Sequence, residues 1–508
     1  MIDTALRQTH CTWDRSARQA IRRYGAPLVA FSTTLALLLI NLARAFLFDD
    51  EIYYMVTGQG YVKFLLAPNL NTFMTHVLKH LWSPAQEAAG HINHPFFAKL
   101  AIGLSLLISG TSVPTEFHLY WKLAPTQLFW ARLPSALMAS ISVFVVCYLV
   151  NSRYGVVSAT IAGLFLVGDA AFLQYSRAAM LDVYAAAFMM VCFVILISSS
   201  GLAWKRLCAS ALLAGLMVAS KFTPGVFVSL FVMSAIVFKR SLLTGLLVFL
   251  SISFAVFLLV DFYYVLVSPA YLFNALFSVG RLPDEGASQG PLAAFFMMFS
   301  SRTYYSISHA WSVVEVALVV LSIVVTVLLT IKGNRWVTGI DALFLANITL
   351  GFVSFQWERP LVLLAPITAL FVSTRIESLI HEFVPTHWGL PIKGSVIIAL
   401  LIQLVRIIPE ALYSNSQFMY HASCVATRFC WAMGGGEIVL ASVAILVGAL
   451  ALSLLRGTKL RKASSRVVWL EIALGLFCCL NKKQVIPLGC QRYSEAMDLS
   501  SMHGRSLR

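Results

Sequence analysis

Blocks of about twenty apolar residues recur along the chain, separated by short polar stretches that carry one or two charges each. A helix of about that length spans the ~30 Å hydrocarbon core of a bilayer. The pattern predicts spanning helices at 27–47, 128–150, 155–175, 183–200, 203–220, 223–238, 242–267, 311–331, 338–356, 360–374, 395–412 and 436–455. The fold class read from this is all-α and polytopic, with about twelve transmembrane helices. Two apolar stretches are too short to cross. The stretch 96–110 (FFAKLAIGLSLLISG) would be about 22 Å long as a helix and carries Lys99. The stretch 467–480 would be about 21 Å long and precedes a basic tail. Both are placed in the membrane interface.

Composition agrees with a bilayer as the solvent. Of 508 residues 59% are hydrophobic and only 12% charged, and the mean hydropathy is +0.81. A soluble enzyme is excluded, because a chain this apolar could not cover its own surface in water. The net charge of +15 does not point to nucleic acid, since the Lys and Arg residues are dispersed between apolar blocks. They orient the chain instead. Arg15, Arg18, Arg22 and Arg23 precede the first span and predict a retained signal anchor with a cytoplasmic N-terminus. If 96–110 does not cross, the later loops hold fourteen Lys and Arg inside against six outside; if it crosses, the ratio inverts. The long loop 48–127 is therefore external, as is 268–310. The organisation expected is a basic N-terminus (1–26), a membrane module at 27–240, a second bundle at 241–455 and a basic cytoplasmic tail at 456–508.

Polar chemistry gathers at the external ends. Asp49, Asp50 and Glu51 follow the first span directly. Three adjacent carboxylates repel one another at a membrane edge, which suits one of them to accept a proton near neutral pH; an acidic first helical turn is the plainer reading. Arg177 and Asp182 stand at the junction of two spans, as substrate ligands or as a pair tying the helices. Lys221 beside a Pro-Gly break, and Arg359, offer cations to an anion or mark helix ends. His76 with His80 and His91 with His94 have spacings that leave a divalent metal open, but no third ligand is assigned, and no cofactor is named from the sequence. Asp261 and Arg406, near span ends, read as functional residues within the membrane or, more plainly, as a pair inside the bundle. Cys424 and Cys430 share an external loop, which leaves a disulfide open in an oxidising compartment without requiring one. No phosphate-loop or dinucleotide fingerprint appears.

Taken in order, FDDEIYY, NHPFFAKL, ARLPSAL, QYSRAAMLD and ASKFTPG resemble the GT-C superfamily of polyprenyl-phosphate-sugar glycosyltransferases. Within it the likeness is to protein O-mannosyltransferases and lipid A aminoarabinose transferases. It covers about residues 27–240, with an echo at 357–375. The resemblance implies a GT-C-like fold and an Asp-Glu pair at Asp50-Glu51, with Asp50 as the base for an acceptor hydroxyl. It also implies that His94, Arg177, Asp182, Lys221 and Arg359 bind the donor phosphate and sugar. Phe96 stands where relatives carry a second proline, and Pro360 where the late motif carries a tyrosine.

The implied partners are a polyprenyl-phosphate-linked sugar, a protein, glycolipid or polysaccharide acceptor, and membrane lipids. The implied reaction is an inverting displacement at the external face of a cell membrane, or of the endoplasmic reticulum in a eukaryote. A secondary transporter or lipid-linked sugar flippase is the rival class, since it too needs many spans and intramembrane charge.

Overall fold

The structure is a computed structural model that describes residues 2–44, 49–66, 95–113, 123–198, 203–221, 223–267, 313–331, 339–354 and 359–412. All of these lie in one compact unit, Met1–Gly435. The described residues are helical, without strands. In chain order the helices are α1 (Ile2–Leu39), α2 (Asp49–Leu66), α3 (Phe97–Ile108), α4 (Pro125–Tyr154), α5 (Val156–Val167), α6 (Ala170–Ser176) and α7 (Asp182–Ile197). They continue with α8 (Trp204–Val218), α9 (Pro224–Val267), α10 (Val313–Ile331), α11 (Gly339–Ser354), α12 (Arg359–Phe383) and α13 (Thr386–Leu412).

The first eleven predicted spans fall on these helices, while 436–455, the 467–480 stretch and the Cys424–Cys430 loop lie outside the described residues. Five described helices are long and apolar enough to cross a membrane, or six if the bent pair α5–α6 counts as one span. The chain is a multi-pass membrane protein, and the described residues do not carry the count to twelve. Helix α3 has 12 residues, about 18 Å, and does not reach across.

Burial sorts the helices. The apolar window of α12 is 94% buried and α7 is buried on nearly every face, so these two form the centre. Helix α9, with only 22% of its window buried, presents Phe231, Leu247, Phe254 and Leu259 outward, as a lipid-facing helix does. It bends at Leu242, whose φ of 58° breaks the helix between two predicted spans.

Two prolines inside helices are answered by side chains from neighbours. Pro134 in α4 has no N–H for the carbonyl of Trp130 four residues back, and Ser105 Oγ of α3 donates to that carbonyl at 2.6 Å. Pro27 in α1 likewise frees the carbonyl of Arg23, which accepts from Asn151 Nδ2 at 3.1 Å. Helix α4 ends at Gly155, whose φ of 87° turns the chain straight into α5.

At one end of the bundle, Asn151 meets the backbone of residues 22 and 23, Glu377 meets Lys393 and Ser158, and Arg375 meets Asp341. Arg22 and Arg23 belong to the basic N-terminal run expected on the cytoplasmic side, and Arg375 and Lys393 are two of the fourteen later charges expected on that same side.

Helices α2 and α3 cross at two glycines. A Cβ on Gly58 would collide with the carbonyl of Lys99, and one on Gly103 with the carbonyl of Gly58. Small residues let two backbones approach this closely, and neither flank can yield without parting the helices. Gly58→Ala is expected to cost about 1–3 kcal/mol, seen as a lower thermal midpoint in detergent. An unchanged midpoint would show that the crossing is loose.

Candidate active site

The site is built around the end of α1. Beyond Leu39 the chain leaves the helix, and its last carbonyls need donors from elsewhere. Two guanidiniums supply them. Arg177 Nη2 donates to the Ile40 carbonyl at 2.6 Å, and Arg132 Nη1 donates to the Leu42 carbonyl at 2.8 Å.

Arg132 also grips Glu51 with a two-pronged contact, Nε to Oε1 at 2.9 Å and Nη2 to Oε2 at 2.7 Å. Both side chains are wholly buried. The Ala179 N–H donates to Oε1 as well. Glu51 therefore clamps three pieces together: the first turn of α2, the start of α4 and the turn between α6 and α7. A buried ion pair of this kind needs its remaining lone pairs filled, and here they are.

The α6–α7 turn is positioned by a broken helix. Helix α5 stops at Gly168 and α6 restarts at a 69° angle. Asp169 caps the new start by accepting from the Phe172 N–H at 2.7 Å, and Gln403 of α13 donates to the Gly168 carbonyl at 2.7 Å. Arg177 follows as the C-cap of α6. Its side chain is buried, and Nε and Nη1 have no hydrogen-bond partner among the described residues. Burial, with the charge of Arg132 adding to it, pushes Arg177 down to about 10, which leaves it a cation at neutral pH.

Asp182 opens α7 and meets the ammonium of Lys221 at 3.4 Å. Lys221 lies three residues past the end of α8, just before Pro224 starts α9. Asp182 thus pairs across the fold with Lys221, where the sequence left it open to Arg177. Glu51, Arg132, Arg177, Asp182 and Lys221 together carry three positive and two negative charges, a surplus of one cation.

Of the remaining predicted site residues, Asp50 is the second residue of α2, directly before Glu51, and Arg359 is the first residue of α12; the description reaches only their backbone. His94 lies outside the described residues, as do His76, His80 and His91. Among the described residues no group of three His, Cys, Asp or Glu could hold a metal. Arg132 was missed as a site residue. Its signal was the ARLPSAL motif, which marked the start of α4 without saying what the arginine meets.

The dolichyl-phosphate-mannose-protein mannosyltransferase family matches residues 68–282. That segment includes His94, Arg132, Arg177, Asp182 and Lys221, and excludes Asp50, Glu51 and Arg359. Among solved structures, apo ArnT from Cupriavidus metallidurans aligns at 15% identity and a TM-score of 0.49, over 89% of this chain and 74% of that one. The structure of the same protein bound to undecaprenyl phosphate aligns at 14% identity and 0.45, over 84% and 80%. No curated protein matches the chain. The chain is thus a multi-pass membrane protein that over residues 68–282 is similar to the dolichyl-phosphate-mannose-protein mannosyltransferases.

Proposed function

We propose that this protein transfers a sugar from a polyprenyl-phosphate carrier to an acceptor hydroxyl at the external face of the membrane. The observation that carries the reading is Arg177. A buried guanidinium with two nitrogens unpartnered among the described residues, held rigidly by a carbonyl and beside a clamped carboxylate, is a receptor for an anion such as a phosphate.

In this reading the prenyl chain stays in lipid and the phosphate sits against Arg177, with Lys221, His94 and Arg359 adding positive charge and Asp182 holding Lys221 in place. Asp50 takes the acceptor proton as the oxygen attacks the anomeric carbon, and the C–O bond to phosphate breaks. Phosphate departs as a stable anion, so the step needs no separate acid. A single displacement inverts the anomeric configuration. Glu51, already committed to Arg132 and Ala179, sets where Asp50 stands.

The test is turnover of radiolabelled polyprenyl-phosphate sugars by the protein in nanodiscs, with water as a slow surrogate acceptor. Release or transfer of sugar is expected; a folded protein that neither binds nor turns over any donor would sink the proposal. One observation favours a second reading, a transporter or flippase: the bent pair α5–α6 with a buried Asp169 at its break. Flux of the intact lipid-linked sugar across a sealed vesicle, without cleavage, would support it.

Arg177→Met should raise the donor KM by about 10- to 100-fold, the loss of one or two charge-assisted hydrogen bonds. Its thermal midpoint should change little, because removing a buried cation offsets the loss of the donor to the Ile40 carbonyl. A wild-type KM in the folded variant would move the phosphate elsewhere.

A further inference from the structure

We infer that Asp261 is a positioning residue that caps α3 from a distant helix, and so holds the start of α3 against the end of α8, two residues before Lys221. The inference rests on the glycosyltransferase reading of the site for its kinetic consequence, though not for the contact itself.

Helix α3 cannot cap itself. Its N-cap residue is Phe96, which has no side-chain acceptor, and Pro95 before it has no N–H. The two N–H groups that follow go to two different elements. Phe96 donates to Asp261 Oδ1 at 2.8 Å, and Phe97 donates to the Ala219 carbonyl at 3.0 Å. His94 stands two residues before the first contact and Lys221 two residues after the second. This short stretch of backbone therefore ties the start of α3 to the segment that carries Lys221, a residue assigned to the donor.

The surroundings make the arrangement stiff. Phe96 is fully buried and stacks on Tyr61, ring centroids 4.5 Å apart, and Tyr61 donates its hydroxyl to the Val260 carbonyl at 2.8 Å. Lys99 lies one turn further along α3, its ammonium 5.2 Å from the Phe96 ring centroid and 5.8 Å from that of Tyr54.

Asp261 is itself fully buried, and its Oδ2 has no hydrogen-bond partner among the described residues. Burying a carboxyl group with one oxygen left over is costly. The favourable return is an acceptor oxygen for the first free N–H of a short helix that has no cap of its own. Helix α9, which carries Asp261, thereby fixes the entry of a helix 165 residues away in sequence.

The experiment compares Asp261→Leu, which removes the acceptor, with Asp261→Asn, which keeps an oxygen in the same place. Donor KM and kcat are measured in nanodiscs, and hydrogen exchange is followed in a peptide beginning at Phe96. Asp261→Leu should raise the donor KM about tenfold with little change in kcat, the effect of one lost helix cap. Exchange at the start of α3 should quicken, and Asp261→Asn should restore both.

A wild-type KM in folded Asp261→Leu overturns the proposal, and so does failure of Asp261→Asn to restore KM and exchange. Asp261→Ala replaces the leucine variant if that one does not fold. Should neither fold, Asp261→Asn alone still decides, since any departure from wild-type KM or exchange defeats the acceptor role. If wild-type protein turns over no donor, the glycosyltransferase reading fails, and the exchange arm still reports whether Asp261 caps α3.

Discussion

Asp50→Asn is expected to lower kcat by about 10²- to 10⁴-fold, the usual contribution of a positioned general base. The donor KM should change little. Asparagine has the shape of aspartate but cannot take a proton from an acceptor hydroxyl. Asp50 lies in the first turn of α2, where a negative charge is favoured by the helix N-terminus, so its removal costs only about 0.3–1 kcal/mol of stability. Folding and chemistry therefore separate cleanly. The variant should elute and melt like wild type while losing turnover, and wild-type product should carry the inverted anomeric configuration. A variant with wild-type kcat would remove Asp50 as the base. Retention of configuration would replace the single displacement with a two-step reaction through a covalent intermediate.

Glu51→Ala is expected to behave in the opposite way and to lose the fold first. Removing the carboxylate leaves Arg132 buried with the Leu42 carbonyl in place of its counter-charge, and frees the Ala179 N–H. Breaking a buried ion pair from one side costs about 3–5 kcal/mol. In a protein of ordinary marginal stability that is a large share of the total. The protein should express poorly or melt far below wild type. Replacing both partners with apolar residues, Glu51→Leu with Arg132→Met, should recover much of the stability, because no uncompensated charge remains. The double variant should still turn over slowly, since nothing then holds the first turn of α2 to the turn that carries Arg177. Glu51→Ala melting with wild type would show that the clamp carries no load.

These two carboxylates are neighbours in sequence, and their neighbourhood is all that the sequence offers about them. Asp49, Asp50 and Glu51 read as three competing acids at a membrane edge. The fold takes Glu51 out of that competition by bringing Arg132 to it across 81 residues and Ala179 across 128. Asp182 shows the same limit. Its nearest cation along the chain is Arg177, yet its ion partner is Lys221, while Arg177 turns to the end of α1. Asp261 accepts from the backbone of Phe96, 165 residues away, a partner that nothing along the chain announces.

The membrane character, the all-helical class, the short non-crossing helix α3 and the likeness to O-mannosyltransferases were legible in the amino-acid sequence alone. Each depends on local properties: transfer of about twenty residues from water to lipid, a helix length set by 1.5 Å per residue, or a run of motifs in order. Only the tertiary structure decided which charge meets which. Inside a bilayer-embedded bundle a polar group must find a partner wherever the packing supplies one, and that partner stands at no fixed distance along the chain. The clamp of Glu51 by Arg132, the half-satisfied Arg177 and the cap that Asp261 lends to α3 follow from helix packing, and no periodicity announces them.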